Sequence, residues 1–319
     1  MIAPPNSNQF FLSTKEFIRL ASSNQIKNQF IKKTLSAIIP VFGAKKELQA
    51  MLNIAASHPR ISEIIIVDDG SPVGDYKLVQ NLALIIDKTV VVRHIKNTGF
   101  SGACNTGIAL ADSNNDILLL NSDSVLPKAS ISLLIVHSCI EPLAATIGSI
   151  SNENGFFSAP FCPEITKKLE YGDDSIIRLM LELSQIAHEE VVSNNGYVLY
   201  ISRDAIDQVG YLDKSIYGKG YGEESDFCLR ARNQGLKNIC SFLACGYHRG
   251  AGSFGLDKNK LKHVNSRLIR AIHPEYLDLL RNYENSSKLK MLQGKIKNFN
   301  VSDLSTIVSV PSPLNYVFD

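Results

Sequence analysis

Short apolar runs separated by polar turns mark the first half of the chain. Residues 36–41, 63–67, 89–94 and 116–120 have the length and unbroken apolarity of strands buried on both faces. Between them, 47–56, 76–85 and 102–111 carry helical spacing; Leu48, Met51, Leu52 and Ala55 share one face of the first. Strands alternating with helices predict an α/β fold with a mixed, mainly parallel central sheet flanked by helices. The polar stretch before residue 35 holds Phe17, Ile18, Leu20 and Ala21 on one side of a predicted amphipathic helix over 14–31.

The second half is less regular. Residues 152–163 are rich in Asn, Ser, Gly and Pro and read as loop, 175–190 as helix and 196–201 as strand. A short helix at 205–209 ends at Gly210, and another at 226–233 stops before Gly235. A glycine-dense loop follows His248. The stretch 258–297 reads as helical and basic, broken at His273-Pro274.

Composition narrows the class. Hydrophobic residues make up 45% and charged residues 20%, as in ordinary globular chains. With 33 Lys+Arg against 31 Asp+Glu, the net charge of +2 gives no support to a nucleic-acid binder. No apolar run approaches the ~18 residues of a membrane span. The six cysteines form no Cys-x-x-Cys pair and read as free thiols in a reducing compartment. The first residues lack the basic-then-apolar order of a signal peptide. A cytoplasmic location follows as an expectation. The basic tail reads either as a solvated helix face or as a peripheral contact with an anionic lipid surface at the inner face of the membrane.

Candidate chemistry gathers at the carboxyl ends of the strands, where open α/β sheets bind ligands. Asp68-Asp69-Gly70-Ser71 is either a plain turn or a carboxylate facing a base or ribose. Asn121-Ser122-Asp123 is either an Asx turn or a hard-oxygen site suited to Mg2+ or Mn2+ beside a diphosphate. Tyr221-Gly222-Glu223-Glu224-Ser225-Asp226 crowds three carboxylates, either to favour a helix N-terminus or to raise the pKa of a general base. His248 stands alone as a structural residue or a ligand.

Taken jointly these segments form an ordered pattern. It runs Ile39-Pro40-Val41-Phe42, Asp68-Asp69-Gly70-Ser71, Asn97 to Gly107, Leu119 to Asp123, Tyr221 to Arg230, then His248. The pattern resembles the family 2 glycosyltransferases of the GT-A fold, and within them the bacterial rhamnosyltransferase-like branch that makes surface polysaccharides. The resemblance spans about 35–255. It implies a nucleotide-sugar-binding half over 35–125 and an acceptor and catalytic half over 126–255, with helical extensions at 1–34 and 256–319.

The resemblance further implies an inverting hexosyltransferase. Its partners would be a nucleoside-diphosphate sugar, UDP- or dTDP-linked, and a saccharide or lipid-linked acceptor. Donor contacts fall on Pro40, Val41, Phe42, Asp69, Asn97, Gly99, Gly102, Asn105, Asn121, Ser122 and Asp123. Mn2+ or Mg2+ would sit on Asp123, completed by His248. Glu224 takes the place of the catalytic base, with Tyr221, Gly222 and Glu223 on the acceptor side. Two positions depart from the commoner residues: Asn121 stands where aspartate is usual, and Glu224 where aspartate is usual. A catalytically silent nucleotide-sugar binder on the same fold is the competing reading. A sugar nucleotidyltransferase would carry a Gly-rich basic loop near its start, which this sequence lacks.

Overall fold

The chain first forms a three-residue strand, β1 (Phe11–Ser13), and two short helices, α1 (Thr14–Ala21) and α2 (Asn24–Lys32). The helix expected over 14–31 is interrupted at Ser22-Ser23. There the Ser23 hydroxyl accepts from the Ile26 amide at 3.3 Å and caps α2. Serine favours such caps over helix interiors, so the break is local chemistry. The structure is a computed structural model that describes residues 10–43, 46–153, 157–218, 220–250, 258–309 and 314. The glycine-dense loop expected after His248 lies mostly outside the described residues.

The alternating half follows the apolar pattern closely: β2 (Leu35–Val41), α3 (Glu47–Ser57), β3 (Ile61–Asp68), α4 (Val73–Ile85), β4 (Thr89–Arg93), α5 (Phe100–Leu110) and β5 (Asp116–Leu120). Next come β6 (Ser124–Val125), α6 (Lys128–Ile140), β7 (Ala144–Ser151), α7 (Pro163–Glu170) and α8 (Ser175–Leu183). They lead to β8 (Ile186–Glu190), β9 (Val198–Ile201), α9 (Arg203–Val209), α10 (Lys214–Tyr217), α11 (Glu223–Asn233) and β10 (Lys237–His248). The basic tail is three helices, α12 (Lys258–Ile272), α13 (Tyr276–Ser286) and α14 (Leu289–Lys297).

Nine strands line up as β1-β8-β10-β7-β9-β5-β2-β3-β4, and β6 pairs with the end of β10. The stretch β5-β2-β3-β4 is parallel throughout. β9 runs antiparallel to β5 and β7, and β8 antiparallel to β10 and β1. Pro40 is tolerated in β2 because pairing with β5 ends at Ile38. Alternate residues face two apolar layers: Ala37, Ile39, Leu118 and Leu120 meet one, Ile38, Ile117 and Leu119 the other. This is why the strand sequences are continuous apolar runs.

The helix expected over 175–190 ends at Leu183, and 186–190 is strand β8. Two buried polar residues fix that strand by tertiary partners. His188 Nδ1 lies 3.0 Å from His137 Nδ1, and His137 Nε2 lies 2.7 Å from the Ser241 hydroxyl. Glu189 accepts from Tyr283 Oη (3.1 Å), Ser287 Oγ (2.8 Å) and the Lys288 amide (2.6 Å), which ties α13 and α14 to the sheet. No helix among the described residues is long and apolar enough to cross a membrane.

Burial holds the two histidines neutral. It depresses His137 well below its ordinary value and brings His188 down to about 3. The unfolded chain takes up these protons near pH 6.5 and the folded chain does not until far lower, so folding stability falls as pH drops below 6.5. Each histidine contributes about 1.4 kcal/mol per pH unit in that window. Urea unfolding between pH 7 and pH 5 should show the loss, and a His137→Phe, His188→Leu double variant should reduce it, leaving the share of His58, which burial also holds at about 3. An unchanged slope in the double variant would refute the assignment.

Candidate active site

Three strand ends are stitched together by one carboxylate. Asp69 follows β3, and its Oδ1 accepts from the Thr98 amide (2.8 Å), the Thr98 hydroxyl (2.8 Å) and His94 Nδ1 (2.7 Å). Its Oδ2 accepts from the Gly99 amide at 2.8 Å, and its own amide donates to Val41 O at 2.8 Å. Next to it Gly70 has φ +76°, and a Cβ there would lie 2.9 Å from the Asn97 amide nitrogen. Only glycine fits that turn. Asn97 Oδ1 also accepts from the Gly99 amide, at 3.1 Å. Gly99 then opens α5, whose Gly107 packs against Ile38 of β2 with no room for a side chain.

The expected donor residues therefore divide. Phe42 is exposed at the exit of β2, and Pro40 is half-buried beside it. Val41 is core, 1% exposed, and packs inward. Asn105 exchanges two hydrogen bonds with the backbone of Leu212, at 2.8 and 3.1 Å, and so fixes the approach to α10. Gly102 sits under Thr98, with the Lys214 ammonium alongside.

A second group forms where β5 ends. The Asn121 amide donates to Tyr197 O at 2.9 Å, and its carbonyl accepts from the amide and hydroxyl of Ser124. β6 then pairs antiparallel with the end of β10, with Ser124 opposite His248. That register brings His248 Nε2 to 3.3 Å from Asp123 Oδ1. On its other side His248 Nδ1 lies 2.5 Å from Glu153 Oε2, and its ring stacks on Tyr197 at 5.3 Å. Ser122 and Asp123 are both buried. Burial alone would lower the His248 pKa, but hydrogen bonds to Asp123 and Glu153, and their charges, raise it to about 9. Glu153 carried no signal in the sequence, being one acid in an Asn-rich loop.

The third group is the first turn of α11, which begins earlier than its apolar pattern suggests and includes both glutamates. Glu223 is buried with Oε2 unpartnered among the described residues. Burial, and next the charge of Glu224, raise its pKa well above the ordinary range; burial raises Glu224 as well. The Glu224 carboxyl lies against the backbone of Gly196, where a Cβ would meet Oε1 at 2.0 Å. The sequence marks Gly196 only as the start of a strand, whereas it lies in the turn before β9.

Tyr221 lies within electrostatic reach of both groups. Burial first, then the charges of Glu224, Glu153, Glu223 and Asp123, raise its hydroxyl to about 12. The buried Cys104 thiol of α5 is likewise raised, by burial and by Glu223, Glu224 and Asp69. Tyr221 itself holds φ +72° between Gly220 at +144° and Gly222 at +120°. A left-handed tyrosine costs about 1–3 kcal/mol and persists only where its surroundings fix it.

Residues 36–160 match the family model described as glycosyl transferase family 2. Over 220 residues the chain is 25% identical to uncharacterized proteins of Mycobacterium bovis and Mycobacterium tuberculosis, covering 68% of this chain and 74% of theirs. Its fold is similar to that of the mannosyltransferase PcManGT from Pyrobaculum calidifontis, solved with GDP-Man and Mn2+. The TM-score is 0.55 at 12% identity, over 94% of this chain and 88% of that one. It is also similar to GalNAc-T7 solved with UDP, GalNAc and Mn2+, with TM-score 0.54 at 14% identity. That match covers 86% of this chain and 54% of the other, so this chain spans little more than half of it. The chain has the GT-A fold, a mixed sheet flanked by helices.

The contact at Gly196 is with the free end of a flexible side chain. Gly196→Ala should therefore leave unfolding free energy within about 1 kcal/mol of the parent. A crystal structure of the variant should show the Glu224 carboxyl displaced by about 1 Å or more. An unmoved carboxyl would mean that Gly196 does not shape the site.

Proposed function

We propose that this GT-A chain, with its family 2 segment over 36–160, is an inverting glycosyltransferase. It would move a hexose from a UDP- or dTDP-linked donor to a hydroxyl of a saccharide or lipid-linked acceptor, in surface polysaccharide synthesis of the rhamnosyltransferase-like kind. One observation carries the reading: Asp123 and Glu153 flank the His248 imidazole at 3.3 and 2.5 Å, and Tyr221, two residues before Glu223, is within reach of their charges and of those of Glu223 and Glu224. The nucleotides and Mn2+ in the similar structures support the same class of donor.

The donor set suits a divalent cation. Asp123 offers a hard oxygen 3.3 Å from the His248 imidazole, which would give up its proton on binding the ion; the described residues hold no group of three His, Cys, Asp or Glu placed for a metal. Two protein ligands leave positions for diphosphate oxygens. Asp123 and His248 would hold Mn2+ or Mg2+, which supplies positive charge to the departing diphosphate.

The chain's own groups do the rest. The turns after β2, β3 and β4, with exposed Phe42 and the Asp69-held Asn97-Thr98-Gly99 loop, receive the base and ribose. Gly102, Asn121 and Ser122 border the diphosphate. Glu224 takes the proton of the acceptor hydroxyl, beside Glu223, whose burial and neighbouring charge favour its protonated form. The acceptor oxygen bonds to the anomeric carbon from the face opposite the diphosphate as the bond to the diphosphate breaks, so the configuration inverts.

Titration calorimetry with UDP, dTDP and GDP, with and without Mn2+, tests the donor site. One nucleotide should bind in a metal-dependent way, and Asp123→Ala should lose that dependence. Glu224→Gln should keep donor binding and lower transfer at least 100-fold, as loss of a general base does. Failure of a folded wild type to bind any nucleotide would overturn the reading. Transfer untouched by Glu224→Gln would remove Glu224 from its role.

We also place the protein at the cytoplasmic face of a membrane through α12–α14. Arg267, Arg270, Lys290 and Lys297 lie on these helices, and Val264 and Met291 are exposed there. Flotation with anionic liposomes at low salt should carry the protein upward and release it at high salt. Protein that stays at the bottom at low salt would end this assignment.

A further inference from the structure

Across its glycines, the loop that delivers Glu224 is closed from within by two long hydrogen bonds, the Gly220 amide to Tyr217 O (3.3 Å) and Tyr217 Oη to Asp226 Oδ1 (3.5 Å). Gly218, Gly220, Tyr221 and Gly222 all have positive φ, at 61°, 144°, 72° and 120°. Three of the four are glycines, which gain the most freedom when released. Yet Glu224 has a narrow berth, since its carboxyl abuts Gly196.

Shorter bonds come from the C-terminal helices, outside the segment matched to the family. Asn265 of α12 is 4% exposed, and its Nδ2 donates to the carbonyls of Tyr217 (3.1 Å) and Gly220 (2.7 Å). One amide group thereby spans the loop just before its left-handed tyrosine. Gly222 lies close by, where a Cβ would be 3.0 Å from the Tyr217 ring and 3.6 Å from Asn265 Cβ.

A second contact lies beyond the glutamates. His273, at the junction of α12 and α13, is 5% exposed, and its Nε2 donates to Asp226 Oδ1 at 2.9 Å. Asp226 Oδ2 accepts from Arg230 Nε at 2.7 Å, one turn along α11. The backbone amide of His273 donates to Ile269 O at 2.8 Å and closes α12, so the imidazole is set by the helix end that carries it. Asn265 grips the chain before Glu223-Glu224 and His273 grips it after. Neither is bonded to either glutamate.

We infer that Asn265 and His273 are positioning residues: α12 and its junction with α13 form a brace that sets the 217–226 segment, and with it the Glu224 carboxyl, against the cleft. The catalytic consequence rests on the transferase reading above; the mechanical one does not. A reacting group displaced by about 1 Å loses rate on the order of 100-fold without losing its neighbours' binding. The brace therefore acts on turnover and leaves the donor nucleotide, held by other loops, in place.

The test uses the full chain and three variants. Asn265→Asp removes the donor with almost no change in shape, His273→Ala removes the second contact, and His273→Gln keeps a donor near the position of Nε2. Amide hydrogen exchange is followed by peptide, and transfer is followed with the donor selected by the nucleotide panel. Asn265→Asp and His273→Ala should raise exchange at least tenfold within 217–226, with the sheet strands unchanged. Their kcat should fall 10- to 100-fold while donor KM stays within about twofold, and His273→Gln should recover at least a third of wild-type kcat.

Unchanged protection in 217–226 would overturn the brace. So would exchange rising throughout the chain, because the two residues would then serve the fold at large. Locally raised exchange with unchanged kcat would overturn their role as positioning residues. If the wild type transfers nothing and binds no nucleotide, the transferase reading fails by itself. The exchange result then still decides whether α12 holds the loop.

Discussion

Two residues of antiparallel ladder decide where the chemistry can be. β6 is only Ser124–Val125, and it pairs with Tyr247 and His248 at the end of the long strand β10. Without that register Asp123 would end one strand and His248 another, with no reason to meet. With it, carboxylate and imidazole face each other at 3.3 Å, and Glu153 closes on the other ring nitrogen. β10 itself lies between β7 and β8, so the position of His248 is backed by the middle of the sheet and not by a free loop.

The cleft concentrates negative charge at some cost to folding. Glu223 and Glu224 neighbour each other in one helical turn, and Glu223 Oε2 has no partner among the described residues. A buried carboxyl without partners is neutralised by taking a proton, which raises its pKa. The helix N-terminus offsets part of the repulsion, since backbone amides of α11 face the acidic first turn. A site of this charge favours cations over anions.

The sequence was most legible where one physical cause dominated. Runs such as Glu63 to Val67 are strands because both faces of the parallel sheet are covered. Legibility failed where polar residues are buried against distant partners. His188 and Glu189 look like the exposed end of a helix until His137, Tyr283 and Ser287 are found beside them. β10 was unannounced because Asn238 and Ser241 interrupt its pattern, and their partners Thr146 and His137 come from other elements. Near the ends of β5 and β10, Asp123 and His248 meet at 3.3 Å, while Glu224 lies in the first turn of α11 against Gly196. Val41 and Asn105 instead serve the core and the backbone of Leu212, and Gly196 and Glu153 carry no mark outside three dimensions.

The short strand β1 has an effect on how copies of this chain could join. It covers the outer margin of β8, with Leu12 opposite His188, and at three residues it is too brief to template another strand. The opposite margin, β4, pairs with β3 alone among the described strands and exposes Val90. A sheet with one capped margin and one open margin can extend itself only once. Two copies joined β4 to β4 about a two-fold axis would use up the open edges, so strand addition ends in a closed pair and not in a filament.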